Sequence, residues 1–140
     1  MVGLVIVVIM VLIGAFAPLI ATHDPYAISP LEQYSPPLQN GHLFGTDDLG
    51  RDIFSRIVYG ARMSIIVAVG ATVLGGCVGI VLGMIAGYLG GAVDSFIMRV
   101  MDGLFAFPHI LLSILLMTIL GSGVFNVILA IGIGMIPRFA

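Results

Sequence analysis

The chain has 140 residues, of which 60% are hydrophobic and only 9% charged, with no Lys and no Trp. A soluble domain keeps about 25% charged residues to solvate its surface, so this composition argues against water and for lipid as the main solvent. The net charge of −2 argues against a basic nucleic-acid face, and a single cysteine, Cys77, cannot form an internal disulfide.

In chain order, residues 1–21 hold a continuous apolar run from position 2, long enough for a hydrocarbon core of about 30 Å. A cleaved signal peptide is the competing reading, since Ala15-Phe16-Ala17 resembles a small-residue cleavage site. The run lacks a basic start, exceeds a usual signal core, and has Pro18 directly after that site. It is therefore expected to be an uncleaved first transmembrane helix.

Residues 22–62 form the only extended polar stretch. Pro30, Pro36 and Pro37 keep its first part from being helical. From Thr46 the pattern changes. Thr46 is a candidate N-cap, Asp47 and Asp48 suit a first helical turn, and Leu49, Ile53, Ile57 and Ala61 repeat every four residues. Arg51, Asp52, Ser55, Arg56 and Tyr59 take the other side. The spacing predicts an amphipathic helix over 46–61 lying at the membrane interface, either a simple anchor or a docking surface. The segment from Gly45 to Arg62 carries six of the chain's twelve charges.

A second span is expected over 63–88. Along it Ala71, Gly75, Gly79, Gly83 and Gly87 recur every four residues, with Gly91 continuing the row. Rows at that spacing form a ridge on a helix, and small residues let membrane helices approach closely. The ridge serves either packing within the chain or contact with a partner subunit. Cys77, in the same run, reads as a small packing residue.

A short loop is expected over 89–103, with Val93, Phe96, Ile97, Val100 and Met101 giving it an apolar helical face. Residues 104–140 should form a helical hairpin. Its third and fourth transmembrane helices are joined by the tight turn Gly121-Ser122-Gly123. The fold expected is thus all-α: a polytopic membrane protein of about four transmembrane helices with one interfacial amphipathic helix. Arg51, Arg56 and Arg62 lie on one side of that topology and Arg99 and Arg138 on the other, so positive charge does not decide the orientation.

No catalytic, cofactor-binding or metal-binding site is expected. The chain has no zinc-protease helix motif, no nucleophile elbow and no P-loop. His23, His42 and His109 are far apart, and none has a second His at ligand spacing. No ionisable residue falls in the middle of a span, which removes the usual sign of a proton relay. An intramembrane enzyme therefore lacks a candidate catalytic group.

The stretch His42-Leu43-Phe44-Gly45-Thr46-Asp47-Asp48-Leu49-Gly50-Arg51-Asp52 resembles the transmembrane permease subunits of bacterial ABC importers. So do Ser55-Arg56, Gly60, Arg62-Met63-Ser64, the run Gly83 to Tyr88, Asp94, Met98-Arg99, Asp102 and Ala106-Phe107-Pro108. The similarity is to the dipeptide/oligopeptide/nickel branch, and within it to the second (C-type) permease. The resemblance implies that residues 22–62 face outward and 89–103 the cytoplasm of a bacterial inner membrane. It implies a non-enzymatic subunit that needs no cofactor of its own. The implied partners are a second permease, two ATPase subunits and a solute-binding protein, and the implied cargo is a peptide or a related small solute. Gly45, Asp47, Gly50, Arg51, Asp52 and Arg56 are its motif loop, and Gly75, Gly79, Gly83 and Gly87 its packing ridge.

The family's permeases have about six spans, with the ATPase-coupling loop after the fourth. By that pattern the chain reads as a truncated version of a six-helix permease, the N-terminal portion only, and should not couple to ATP hydrolysis alone. The competing expectation is a transport-incompetent helical module with a structural or assembly role.

Overall fold

The computed structural model describes all 140 residues, and its regular structure is all helical, with two isolated β-bridges and no strand. Its helices are α1 (Val2–Ala15), α2 (Ala17–Ile20), α3 (Ile53–Leu89), α4 (Gly91–Phe105), α5 (His109–Leu120) and α6 (Val124–Phe139). The chain divides into two compact units, Met1–Ile65 and Ile66–Ala140.

In the first unit, α1 is apolar on every face. It ends where Pro18, lacking an N–H, cannot bond back to the preceding turn, and the chain turns at Phe16 before the single turn of α2. A Cβ at Gly14 would stand 2.6 Å from Ile65 Cδ1 and 3.1 Å from Arg62 Cα, so α1 meets the start of α3 at backbone distance. Between α2 and α3 runs an irregular connection with one 3-10 turn at Pro30–Glu32.

The helix expected to start at Thr46 starts at Ile53. Residues 46–52 instead form a closed loop, held by a bridge between Thr46 and Asp52 and a turn in which Gly50 N–H donates to Asp47 C=O at 3.0 Å. Gly50 has φ +74° there, which a helix does not allow. Asp47 is the reason: its side chain accepts the N–H groups of Leu49 and Arg51, at 2.9 and 3.0 Å, that a helix would need. Asp52 then caps the real helix, its Oδ2 accepting Ser55 N–H at 2.7 Å. From Ile53 the helix runs unbroken for 37 residues, so no separate interfacial helix over 46–61 precedes the second span.

In the second unit, the later part of α3 packs on α6. A Cβ at Gly75 would lie 2.7 Å from Met135 Cβ and 2.8 Å from Gly132 O; one at Gly79 would lie 2.5 Å from Ile136 O and 2.7 Å from Phe139 Cβ. Gly83 meets only Ala140, and Gly87 has no neighbour within 4 Å. Gly91 belongs to α4, so the row of small residues within α3 ends at Gly87. Gly90 and Gly91, at φ +62° and +56°, carry the chain out of α3. Cys77 is exposed on the face away from the ridge rather than packed.

The expected loop over 89–103 is α4 for most of its length, because its apolar face is helical and nothing in it breaks a helix. The expected third span from 104 is divided: α4 and α5 meet at 90°, and only His109–Leu120 continues toward the hairpin. Pro108 accounts for the break, since the residue before a proline avoids helical backbone. Asn126 Nδ2 closes the hairpin by donating to Leu120 O at 2.8 Å and Gly121 O at 3.2 Å.

Burial is inverted relative to a water-soluble fold. The fully buried apolar residues are mostly alanines, such as Ala17, Ala71, Ala86 and Ala130, while Leu19, Ile110 and Phe125 are 81, 75 and 69% exposed. Small residues inside and large ones outside is the pattern expected when helices pack by close contact in a solvent as apolar as leucine. By length and composition α3 is long and apolar enough to cross a membrane; α4 with α5 passes the same test only as a bent pair.

Candidate functional site

The polar side chains of the first unit gather in the connection from Thr22 to Arg56, in two adjoining clusters. The first is built on Asp47. Its carboxylate accepts two backbone N–H groups, Arg51 Nε at 2.8 Å, and Arg56 Nη1. Arg51 Nη2 also lies 3.8 Å from Asp48. Partial burial would raise the Asp47 carboxyl, but the N–H groups of Arg51 and Leu49 and the Arg51 guanidinium outweigh it and hold the group at about 2. Arg51, Arg56, Tyr26 and Tyr59 border an open hollow of about 180 Å³.

The second cluster is built on Asp52, which is only 2% exposed. Its Oδ1 pairs with His42 Nδ1 at 2.9 Å, and its Oδ2 accepts Ser55 N–H and, at 3.5 Å, Thr22 Oγ1–H. Burial would raise this carboxyl too, but hydrogen bonding from Ser55 and then from His42 holds it below the usual value. The other ring nitrogen of His42, Nε2, lies 3.6 Å from Glu32 Oε2. The His23 ring sits against that of His42, with centroids 4.5 Å apart, and His23 N–H donates to the buried Ser55 Oγ at 3.0 Å.

Two glycines make this density possible. Gly45 and Gly50 have φ +77° and +74°, and at each a Cβ would collide with a backbone carbonyl, that of Ser35 and that of Ser29. Thr46 ties the same strands of chain together, its Oγ1 accepting Ser35 N–H at 2.9 Å and donating to Glu32 O.

Of the residues singled out by sequence, Asp47, Arg51 and Arg56 come together in one ion cluster, and Asp52 anchors the other. Gly45 and Gly50 shape the loop that carries them. The glycine row, in the second unit, lies against α6 at Gly75 and Gly79, and Gly87 is open. Sequence reasoning missed Thr22, His23, Glu32 and His42 as members of the site. The two histidines are 19 positions apart, and no local spacing could have paired them.

The N-terminal TM domain of oligopeptide transport permease C matches residues 1–37. The oligopeptide transport system permease protein OppC of Bacillus subtilis (strain 168) is 45% identical over 133 residues, covering 95% of this chain and 43% of the relative. The probable D,D-dipeptide transport system permease protein DdpC of Escherichia coli (strain K12) is 43% identical over 135 residues, 96% of this chain and 45% of the relative. Over nearly its whole length the chain is similar to C-type peptide-transport permeases. A third relative, the glutathione transport system permease protein GsiD of Pectobacterium atrosepticum, is 40% identical over 134 residues, 96% of the chain and 44% of the relative. The chain spans less than half the length of these curated relatives. The similarity covers at least 95% of the chain, so its two polar clusters and its glycine row fall within it.

Proposed function

We propose that these residues form part of the membrane-spanning subunit of an ATP-driven importer. The subunit lines a path for peptides, or a related small solute, across the bacterial cytoplasmic membrane. The observation that carries this reading is identity above 40% to peptide-system permeases over nearly the whole chain, joined to an inverted burial pattern. The subunit itself is non-catalytic and cofactor-free, and hydrolysis belongs to partner ATPases.

In this reading the chain crosses the membrane several times. The first crossing is α1 with α2; the second is the apolar part of α3, whose roughly 55 Å length exceeds the hydrocarbon core and leaves its arginine-bearing start outside. The third is α5 and the fourth α6, with α4 turned along the cytoplasmic surface by the bend at Pro108. Residues 22–52 form an outward cap. The groove between α5 and α6, about 420 Å³ and bearing His109, Ser113 and Arg138 among apolar residues, is a candidate portion of the path.

A second permease, two ATPases and a solute-binding protein complete the assembly. Affinity isolation of the tagged chain from cells expressing a peptide importer of this branch, after in-membrane cross-linking, tests the reading. The second permease should be recovered in stoichiometric amount. Recovery of the chain with no permease partner contradicts it and favours a separate structural module.

A further inference from the structure

We propose that His23, His42 and Asp52 bind one divalent first-row transition-metal ion. One ligand atom from each of the three lies within 4.8 Å of the others. Two imidazoles and one carboxylate are a donor set that suits zinc, nickel, cobalt or copper and disfavours magnesium and calcium, which take oxygen ligands.

The geometry is already close to what an ion needs. His42 Nδ1 and Asp52 Oδ1 are 2.9 Å apart, the separation of two ligands at a right angle each about 2.1 Å from one metal; a tetrahedral ion needs them about 0.5 Å further apart. Both are buried and fixed, Asp52 by Ser55 and Thr22 and His42 by its place between two carboxylates. The third ligand is the adaptable one. His23 is exposed, its ring already lies on that of His42, and a turn of its side chain brings a ring nitrogen the remaining distance.

Glu32 completes the arrangement from outside. Its carboxylate faces His42 Nε2 at 3.6 Å, so it can receive that N–H while Nδ1 turns its lone pair to the metal. A carboxylate behind a metal-bound histidine is the usual device that fixes the tautomer. Binding moves the ring proton of His42 from Nδ1, where it faces Asp52, to Nε2, where Glu32 receives it; no proton is lost from the site, and no redox partner is required.

The site would tie the end of α2, the 42–52 loop and the first turn of α3 together at one point. That is a clamp on the polar connection, independent of whether the chain transports a solute.

The test is cobalt binding by the 140-residue chain in detergent micelles, followed by the visible d–d absorption of Co²⁺ and competed by Zn²⁺ and by Mg²⁺. One Co²⁺ per chain should bind, and Zn²⁺ but not Mg²⁺ should displace it. His23→Gln keeps the backbone N–H bond to Ser55 and leaves an exposed side chain, so helical circular dichroism should be unchanged while Co²⁺ affinity falls more than tenfold. Glu32→Gln, acting through His42, should weaken binding by about tenfold without removing the absorption band. His109→Ala should leave Co²⁺ affinity unchanged. No cobalt absorption in the parent chain, unchanged affinity in a folded His23→Gln variant, or displacement by Mg²⁺ would each overturn the proposal.

Discussion

Replacing Gly79 with alanine puts a methyl group 2.5 Å from Ile136 O, 2.7 Å from Phe139 Cβ and 3.1 Å from Ala140 N. Ile136 O is a backbone atom of α6 and Ala140 N one of its C-cap residue, so no rotamer change relieves the contact. The helices must separate by roughly 1 Å to restore ordinary van der Waals distance. Overpacking of this kind costs about 1–3 kcal/mol. Alanine also gains up to about 1 kcal/mol over glycine within a helix, so the single substitution understates the steric term. Gly87→Ala supplies the correction, because it lies in the same helix with nothing within 4 Å. The difference between the two variants isolates the α3–α6 contact and should be about 1–3 kcal/mol, with Gly79→Ala the less stable. Unfolding in mixed detergent micelles, titrated with SDS and followed by helical circular dichroism, reads it. Equal stabilities for the two variants would show that α3 and α6 do not meet at this row, and the packing account of the ridge would fall.

Three further predictions concern the polar connection. Asp47 has a folded-state pKa of about 2 against an ordinary 3.8, so it contributes stability that is complete above about pH 4 and lost as pH falls from there toward 2. Protease resistance of the 22–52 segment should drop across that window, and Asp47→Asn should flatten the part of the drop due to this group. Asp52→Ala removes the helix cap and strands Ser55 N–H and His42, a loss of about 1–3 kcal/mol; hydrogen exchange should show the first turn of α3 opening. Gly50→Ala forces a side chain into φ +74° against the Ser29 carbonyl, and the same segment should become protease-sensitive at neutral pH while the helical signal of the rest of the chain persists.

The helical class and the positions of α1, α3 and α6 were legible because long apolar runs and four-residue spacing are local signals. The start of α3 was not. Thr46-Asp47-Asp48 reads as a helix N-terminus by residue type, yet Asp47 uses its carboxylate to hold a turn, and the cap falls six residues later at Asp52. The division of the expected third span had a visible cause in Phe107-Pro108, but its 90° angle depends on where α4 packs, which spacing does not report. The motif residues Asp47, Arg51 and Arg56 were legible as a unit because they lie within ten positions. The His23–His42–Asp52 cluster was invisible because it is assembled across 30 residues by a connection of prolines and positive-φ positions such as Tyr34, Leu38 and Asn40.

The central claim is that this chain lies in a bilayer with its polar connection on the outer face and α4 on the inner one. Cysteine labelling tests it most directly. In a Cys77→Ser background, Gln33→Cys and Ser95→Cys each place one thiol at an exposed position, and spheroplasts are treated with a membrane-impermeant maleimide before and after permeabilisation. The thiol at position 33 should label in intact spheroplasts and the thiol at position 95 only after permeabilisation. Labelling of both before permeabilisation, or the reverse order, would contradict the account.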